Sequence, residues 1–155
     1  MRSGIYDYYA ENAAVHITAT VGSRPFSYIR RTGERPVAKV PAARVTLGDR
    51  VELFAHANID QGIERNTAIG DDVKIAQFAH VGHDTIIGAR TVICPHAFIA
   101  GHVDVGVDCY IGANASVMQR VSIGDGAKVG IGAVVICDVP AGATVSGNPA
   151  RVVSR

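Results

Sequence analysis

Residues 67–88 read TAIGDDVKIAQFAHVGHDTIIG. Within this stretch Ile69, Ile75, Val81 and Ile87 stand six apart, and Thr67, Val73, Ala79 and Thr85 stand two before them. The spacing continues through Ile93, Ile99, Val105, Ile111, Val117, Ile123, Val129 and Val135. Each has a small or β-branched partner two residues earlier: Thr91, Ala97, Val103, Cys109, Ala115, Val121, Ala127 and Ala133. A helix would repeat its apolar residues every three or four positions. A free strand would alternate every second one. A period of six with two inward residues suits a short strand and a turn, coiled so that three repeats close one triangular rung. Rungs then stack at the inter-strand distance of about 4.8 Å. The expected fold is all-β: a parallel β-helix, a three-sided solenoid of hexapeptide repeats.

The phase reaches back through Leu47, Leu53 and Ile59, with Val45, Val51 and Ala57 as partners, and Val15 and Val21 look like an earlier piece of rung. This predicts one β-helix domain over 1–155, with loop excursions at about 22–44 and 61–66 and a capping tail at about 139–155. After Val135 the phase breaks, and Pro140 and Gly142 are expected to end the coil. The tail from Val145 must cover the last rung, because a bare rung is an open sheet edge.

Composition agrees with a narrow aliphatic core: aromatics are 6% and Trp is absent. A net charge of +1 without a basic run argues against a nucleic-acid surface. No apolar stretch is long enough to span a bilayer, and nothing at the start reads as a signal peptide. Cys94, Cys109 and Cys137 are an odd count without metal-ligand spacing. These features predict reduced thiols and a cytoplasmic location.

A period of 18 assigns every residue to a column. His83-Asp84 fills one turn, Gly101-His102 the turn above it and Gln119-Arg120 the next. The excursion through Gln61-Gly62-Ile63-Glu64-Arg65-Asn66 occupies the same corner one rung below, and that carrying Phe26 and Tyr28 leaves from the corner below that. Insertions on a solenoid gather on the functional face, so the site is expected along this edge. Imidazole is the side chain suited to accept a proton near neutral pH, which makes His83 the candidate base. Asp84 and Glu64 are the candidates to orient it. Gly101, one rung above, offers a bare backbone N–H to a carbonyl oxygen. A general base beside an oxyanion donor is the minimal kit for acyl transfer.

Two stretches resemble known families. Val21-Gly22, Phe26-Ser27-Tyr28, Val45 to Glu52 and Asn58 to Gly62 resemble the UDP-acylglucosamine N-acyltransferases of lipid A synthesis. His83 to Gly88, Ala100-Gly101 and Gly147 to Val152 resemble acetyltransferases acting on sialic acid and bacillosamine-type amino sugars. The resemblance implies a left-handed coil, His83 as base and Gly101 as backbone donor. It also places Gly147, Asn148, Pro149 and Ala150 near the nucleotide end of acetyl-CoA, with Arg151 as a phosphate partner by charge. Phe26 and Tyr28 resemble the segment beside the sugar nucleotide. Glu64, His80 and His102 complete the expected acceptor side.

No counterpart is expected within residues 1–155 for the separate N-terminal domains of both families or for the C-terminal helical extension of the lipid A enzymes. Arg120 stands where the lipid A enzymes have a second histidine. The expected donor is therefore a short acyl-CoA, with acyl carrier protein as the alternative, and no metal is expected. The expected reaction is N-acylation of an amino sugar, with O-acylation left open. The outward positions His80, Phe98, Ser116 and Val134, with Met118 and Ile136 nearby, predict a covered face. A homotrimer with its sites between subunits is the simplest closed arrangement, and is the rule in the resembled families. Two other readings compete. A γ-carbonic-anhydrase-like metalloenzyme needs three converging histidines, and His80, His83, His96 and His102 do not have the right spacing. A scaffold without catalysis would leave the His83–Gly101 pair without purpose.

Overall fold

The computed structural model describes residues 12–154 and the backbone of Tyr6–Asp7. Two- to four-residue strands coil into stacked parallel rungs, and no helix occurs among the described residues. Three sheets form the walls, and residues pair with those about one rung above and below. One wall runs His80 to Phe98 to Ser116 to Val134. The second pairs Ile86 with Ala68 below and Asp104 above. The third pairs Lys74 with Glu52 below and Val92 above. The period-six aliphatics fill the prism: Leu53, Ile59, Ile75, Ile93, Ile99 and Ile111 are fully buried. Their partners Val73, Ala79, Ala115, Ala127 and Ala133 are equally buried beside the corners.

Buried threonines complete the inner columns. Thr85 Oγ1 donates to the Ala100 carbonyl and accepts from Val103 N–H. Thr91 Oγ1 does the same with the Gly106 carbonyl and Cys109 N–H. A hydroxyl in this position satisfies polar backbone that would otherwise be orphaned inside the coil. Cys109 is buried, as expected of a residue in the small inward class.

The corners have a second period-six pattern. Eleven non-glycine residues, from Arg50 to Arg120, have φ between 55° and 64°. Seven of them are Asp, Asn or His, the types that best tolerate the left-handed region. The other corner residues are mostly stapled to their neighbours. Arg50 forks onto Asp72 and Arg90 onto Asp108. The Phe78 ring lies stacked between His56 and His96, with centroids 4.9 and 5.0 Å away.

The ends differ in detail from the sequence expectation. Val15 sits in the core and its strand pairs with that of Leu53, so the early rung is real. At the other end the coil does not stop at Val135. Val139 bridges Ile123 after a step of 16 rather than 18, and Ala143 and Val145 are buried on the wall of Val129. The shortened step is absorbed before Pro140. The chain then turns through Gly147–Ala150, and Arg151–Ser154 returns antiparallel along Thr144–Ser146. This strand is the outermost one of that wall; Arg155 lies outside the described residues.

Candidate active site

The corner between the walls of His80–Val81 and Ile86–Ile87 holds His83 and Asp84. Asp84 adopts the left-handed conformation, with φ 59°. Its side chain is fully buried and fully used. Oδ1 accepts the backbone N–H groups of Ile63, Glu64 and Arg65 at 3.0, 2.7 and 2.6 Å. Oδ2 accepts from His83 Nδ1 at 2.6 Å. Asp84 N–H in turn donates to Thr67 Oγ1 at 3.0 Å. Burial alone would raise the Asp84 pKa. The bonds from Arg65 N–H, His83, Glu64 N–H and Ile63 N–H outweigh it and hold the carboxyl below its ordinary range.

This arrangement assigns the His83 tautomer. A carboxylate facing Nδ1 requires a proton there, which leaves the Nε2 lone pair free to accept one. The ring lies against Gly101 on the storey above. A Cβ built on Gly101 would stand 2.8 Å from Cε1 and Nε2 of His83, so any side chain there displaces the imidazole. Gly82, beside His83 and below Ala100, is equally constrained: its Cβ would meet Ala100 C and Gly101 N at 2.7 Å. The neighbouring amides are occupied, Ala100 N–H on the Val117 carbonyl and His102 N–H on the His83 carbonyl. Gly101 N–H donates to no group among the described residues, so it is available to a ligand.

His102 stands edge-on to His83, with ring centroids 5.2 Å apart, and its Nε2 is 3.6 Å from Asp84 Oδ2. Desolvation lowers its pKa, Asp84 opposes that shift, and Arg120 and His83 add to it. The neutral imidazole is thereby favoured. Arg65 braces the corner by donating from Nε to the Asp84 carbonyl at 2.6 Å and pairing with Asp104. Glu64, Arg65, His102, Asp104, Arg120 and Ser122 line a polar cavity of about 390 Å³.

The structure thus brings together His83, Asp84, Gly101 and His102, with the backbone of Glu64. The carboxylate that meets the His83 ring is that of Asp84. The Glu64 side chain instead faces Lys39 at 3.8 Å. His80 lies on the flat wall, where it contacts Asp60 at 3.4 Å and Asn58 at 3.1 Å and stacks on Phe98. Asp60 is almost fully buried and also accepts from Ser23. Phe26 and Tyr28 sit at the base of a hairpin rooted on the same edge, and Phe26 is 90% exposed. Gly147, Asn148, Pro149, Ala150 and Arg151 lie at the end of the coil, where Ala150 N–H bonds the Val134 carbonyl and Arg151 is exposed.

The contact of Arg65 with the corner was missed, because Arg65 belongs to an excursion without period. Asp60, whose partners lie on the flat wall, occupies the position after a period-six aliphatic, most often glycine in this chain. His83, Asp84 and His102 place three ligand atoms within 4.8 Å. Asp84 is, however, already saturated by three amides and His83. His96 stacks on Phe78 at a different corner, so three histidines do not converge within one chain.

Residues 66–101 match the model of the bacterial transferase hexapeptide family, six repeats. Three solved structures show the same coil. PerB from Caulobacter crescentus, solved with CoA and GDP-perosamine, is 29% identical with a TM-score of 0.74, over 92% of this chain and 57% of that one. The acetyltransferase domain of PglB from Neisseria gonorrhoeae, solved with acetyl coenzyme A, is 27% identical with a TM-score of 0.72, over 91% and 57%. LpxA from Acinetobacter baumannii is 25% identical with a TM-score of 0.77, over 87% and 50%. The chain therefore spans about half the length of these neighbours. In fold and in its repeat it is similar to PerB, to the acetyltransferase domain of PglB and to LpxA.

Proposed function

We propose that the chain transfers an acyl group, acetyl by preference, from acyl-CoA to the amine of a nucleotide-linked amino sugar. The observation that carries this is the His83 ring, fixed by a buried carboxylate on one nitrogen and laid against a bare glycine by the other. His83 Nε2 takes a proton from the amine as its nitrogen attacks the thioester carbonyl. The tetrahedral oxyanion accepts from Gly101 N–H. Collapse breaks the carbon–sulfur bond, and the departing thiolate takes the proton back from Nε2. No covalent enzyme intermediate is needed. Two facts about the neighbours support this reading: PerB was solved with CoA and a nucleotide-linked sugar, and a related structure is described as a GDP-perosamine N-acetyl transferase.

The active form we propose is a homotrimer. Phe98, Met118 and Ile136 are 40–48% exposed on one wall, around a shallow apolar cavity of about 380 Å³. Light scattering at a monomer's mass would defeat this arrangement. The reaction itself is tested by incubating the protein with acetyl-CoA and a panel of nucleotide-linked amino sugars. Thiol release together with an acetylated product is expected. Silence across amino sugars of every nucleotide, with acetyl-CoA binding intact, would sink the acceptor assignment.

A further inference from the structure

The excursion that leaves the catalytic corner carries a charge that acyl transfer does not use. Residues 24–44 contain Arg24, Arg30, Arg31, Arg35, Lys39 and Arg44 against the single acid Glu34, a net +5, so the rest of the chain sums to −4. Lys39 faces Glu64, and Arg31 faces Glu34 between two exposed side chains. Among the described residues the side chains of Arg24, Arg30 and Arg35 form no ion pair. The segment folds as a two-stranded ribbon in which Tyr28 pairs with Ala38 and Ile29 with Val37. Such a ribbon is marginal in water unless something covers it. Here both faces are bare. Ile29 and Val37 on one are 48% and 54% exposed, Phe26 and Tyr28 on the other 90% and 44%, and Val40 beside them 80%. A hollow of about 450 Å³ is lined by Phe26, Tyr28, Arg30 and Pro36, and one of about 210 Å³ by Ile29, Arg31, Glu34, Arg35 and Val37.

Each face thus sets guanidinium groups around apolar side chains. A groove on a protein would cover one face of a ribbon and leave the other in water. Nucleic acid phosphates would give nothing to Ile29, Val37 and Val40. A bilayer interface reaches both faces. The acyl boundary takes the apolar side chains, and the guanidinium groups fork onto headgroup phosphates while their stems stay in the apolar zone. We propose that this ribbon docks the protein on an anionic phospholipid surface, at the level of the headgroups and without crossing it. The net +5 of the segment matches the negative potential of such a surface. Docking does not depend on the acyl-transfer reading, but it bears on the site. Gln61 N–H donates to the Ser23 carbonyl and Ala43 N–H to the Gly62 carbonyl, which ties the roots of the ribbon to the 61–66 loop. That loop is itself bound to Asp84. The segment that meets the lipid is therefore joined directly to the corner of His83.

Co-sedimentation of the full chain with two kinds of vesicle tests this without turnover: phosphatidylcholine alone, and phosphatidylcholine with about one-third phosphatidylglycerol. The parent pellets with the anionic vesicles, stays in solution with the neutral ones, and is released as salt rises toward about 1 M. Arg30→Gln combined with Arg35→Gln weakens the anionic binding by about 25-fold, near fivefold for each charge. Ile29→Ser weakens it by about fivefold through lost apolar contact. Melting temperature and oligomeric mass stay unchanged, because these side chains stand outside the core. A parent that ignores the anionic vesicles would overturn the proposal, as would equal pelleting on neutral ones or variants that bind like the parent. A drop in oligomeric mass for Ile29→Ser would also overturn it, by showing that a second copy covers the ribbon. Tighter binding to a duplex oligonucleotide than to the anionic vesicles would overturn it in favour of a nucleic-acid surface. Pelleting with lipid in a chain that shows no acyl transfer would remove the acyl-transfer reading and leave the docking standing.

Discussion

Replacing Gly101 by alanine separates the position of the base from every other feature of the site. The added Cβ would lie 2.8 Å from two atoms of the His83 ring. Carbon contacts are comfortable only from about 3.5 Å, so the ring must retreat by roughly 0.7 Å. Asp84 cannot follow it, because its Oδ1 is held by three backbone N–H groups. The 2.6 Å bond that orients Nδ1 is therefore stretched. A misplacement near 1 Å costs about a hundredfold in rate, and losing an aligned base costs about 10²–10⁴. The expected fall in kcat is thus about 10²–10³-fold. Stability should barely change. Gly101 lies outside the left-handed region, and a compatible glycine-to-alanine change alone is worth only about 0.4–1 kcal/mol in favour of folding. The backbone N–H remains in place, so the loss would not reflect a missing oxyanion donor. Steady-state thiol release from acetyl-CoA, read beside the melting curve, measures both effects. Parent-like turnover in Gly101→Ala would show that the imidazole is not held where the chemistry requires it.

Asp84→Asn keeps an acceptor for the three amides but turns an N–H toward His83 Nδ1, reversing the tautomer. Turnover should fall by about 10²–10⁴-fold, and a variant that works as well as the parent would remove Asp84 from the mechanism. Asp84 and Asp60 are both held below the ordinary carboxylate range. Burial opposes this at each, but the amides and His83 outweigh it at Asp84, as His80, Ser23 and Asn58 do at Asp60. Such groups add stability that is present above the unfolded value and lost as pH falls through the lower folded value. The melting temperature should stay level from about pH 7 to 5 and fall steeply below about pH 4, less so in Asp84→Asn. An equally steep fall in that variant would contradict the assignment. Ile111→Ala opens a hole in a fully buried column and should cost about 2–5 kcal/mol by chemical denaturation. A loss under about 1 kcal/mol would mean that the rungs close over the gap.

The coil was legible because its period leaves no other solution: Ile69 to Val135 alternate inside a prism and nowhere else. The vertical alignment of His83 under Gly101 followed from the same arithmetic. What escaped was chemistry that breaks the period. Glu64 and Asp84 were both candidates to orient the base, since spacing places both at one corner. Backbone geometry separates them: it aims three amides of the 61–66 loop at Asp84 and leaves the Glu64 side chain facing Lys39. The buried Asp60 and the partly exposed His80 form a second pair on the flat wall, invisible to a pattern that reads only the apolar residues around Ile59. The corner ladders were also hidden. Arg90–Asp108 and His56–Phe78–His96 become partners only when residues 18 or more apart are stacked in the left-handed conformation.

The central claim is that one imidazole, freed at Nε2, removes the proton from an attacking amine. It is tested most directly by comparing parent and His83→Ala in acceptor-dependent release of CoA, on whichever amino sugar the parent acetylates. The variant should bind acetyl-CoA normally and lose about 10²–10⁴-fold in kcat. Undiminished turnover without that ring would place the chemistry elsewhere on the molecule.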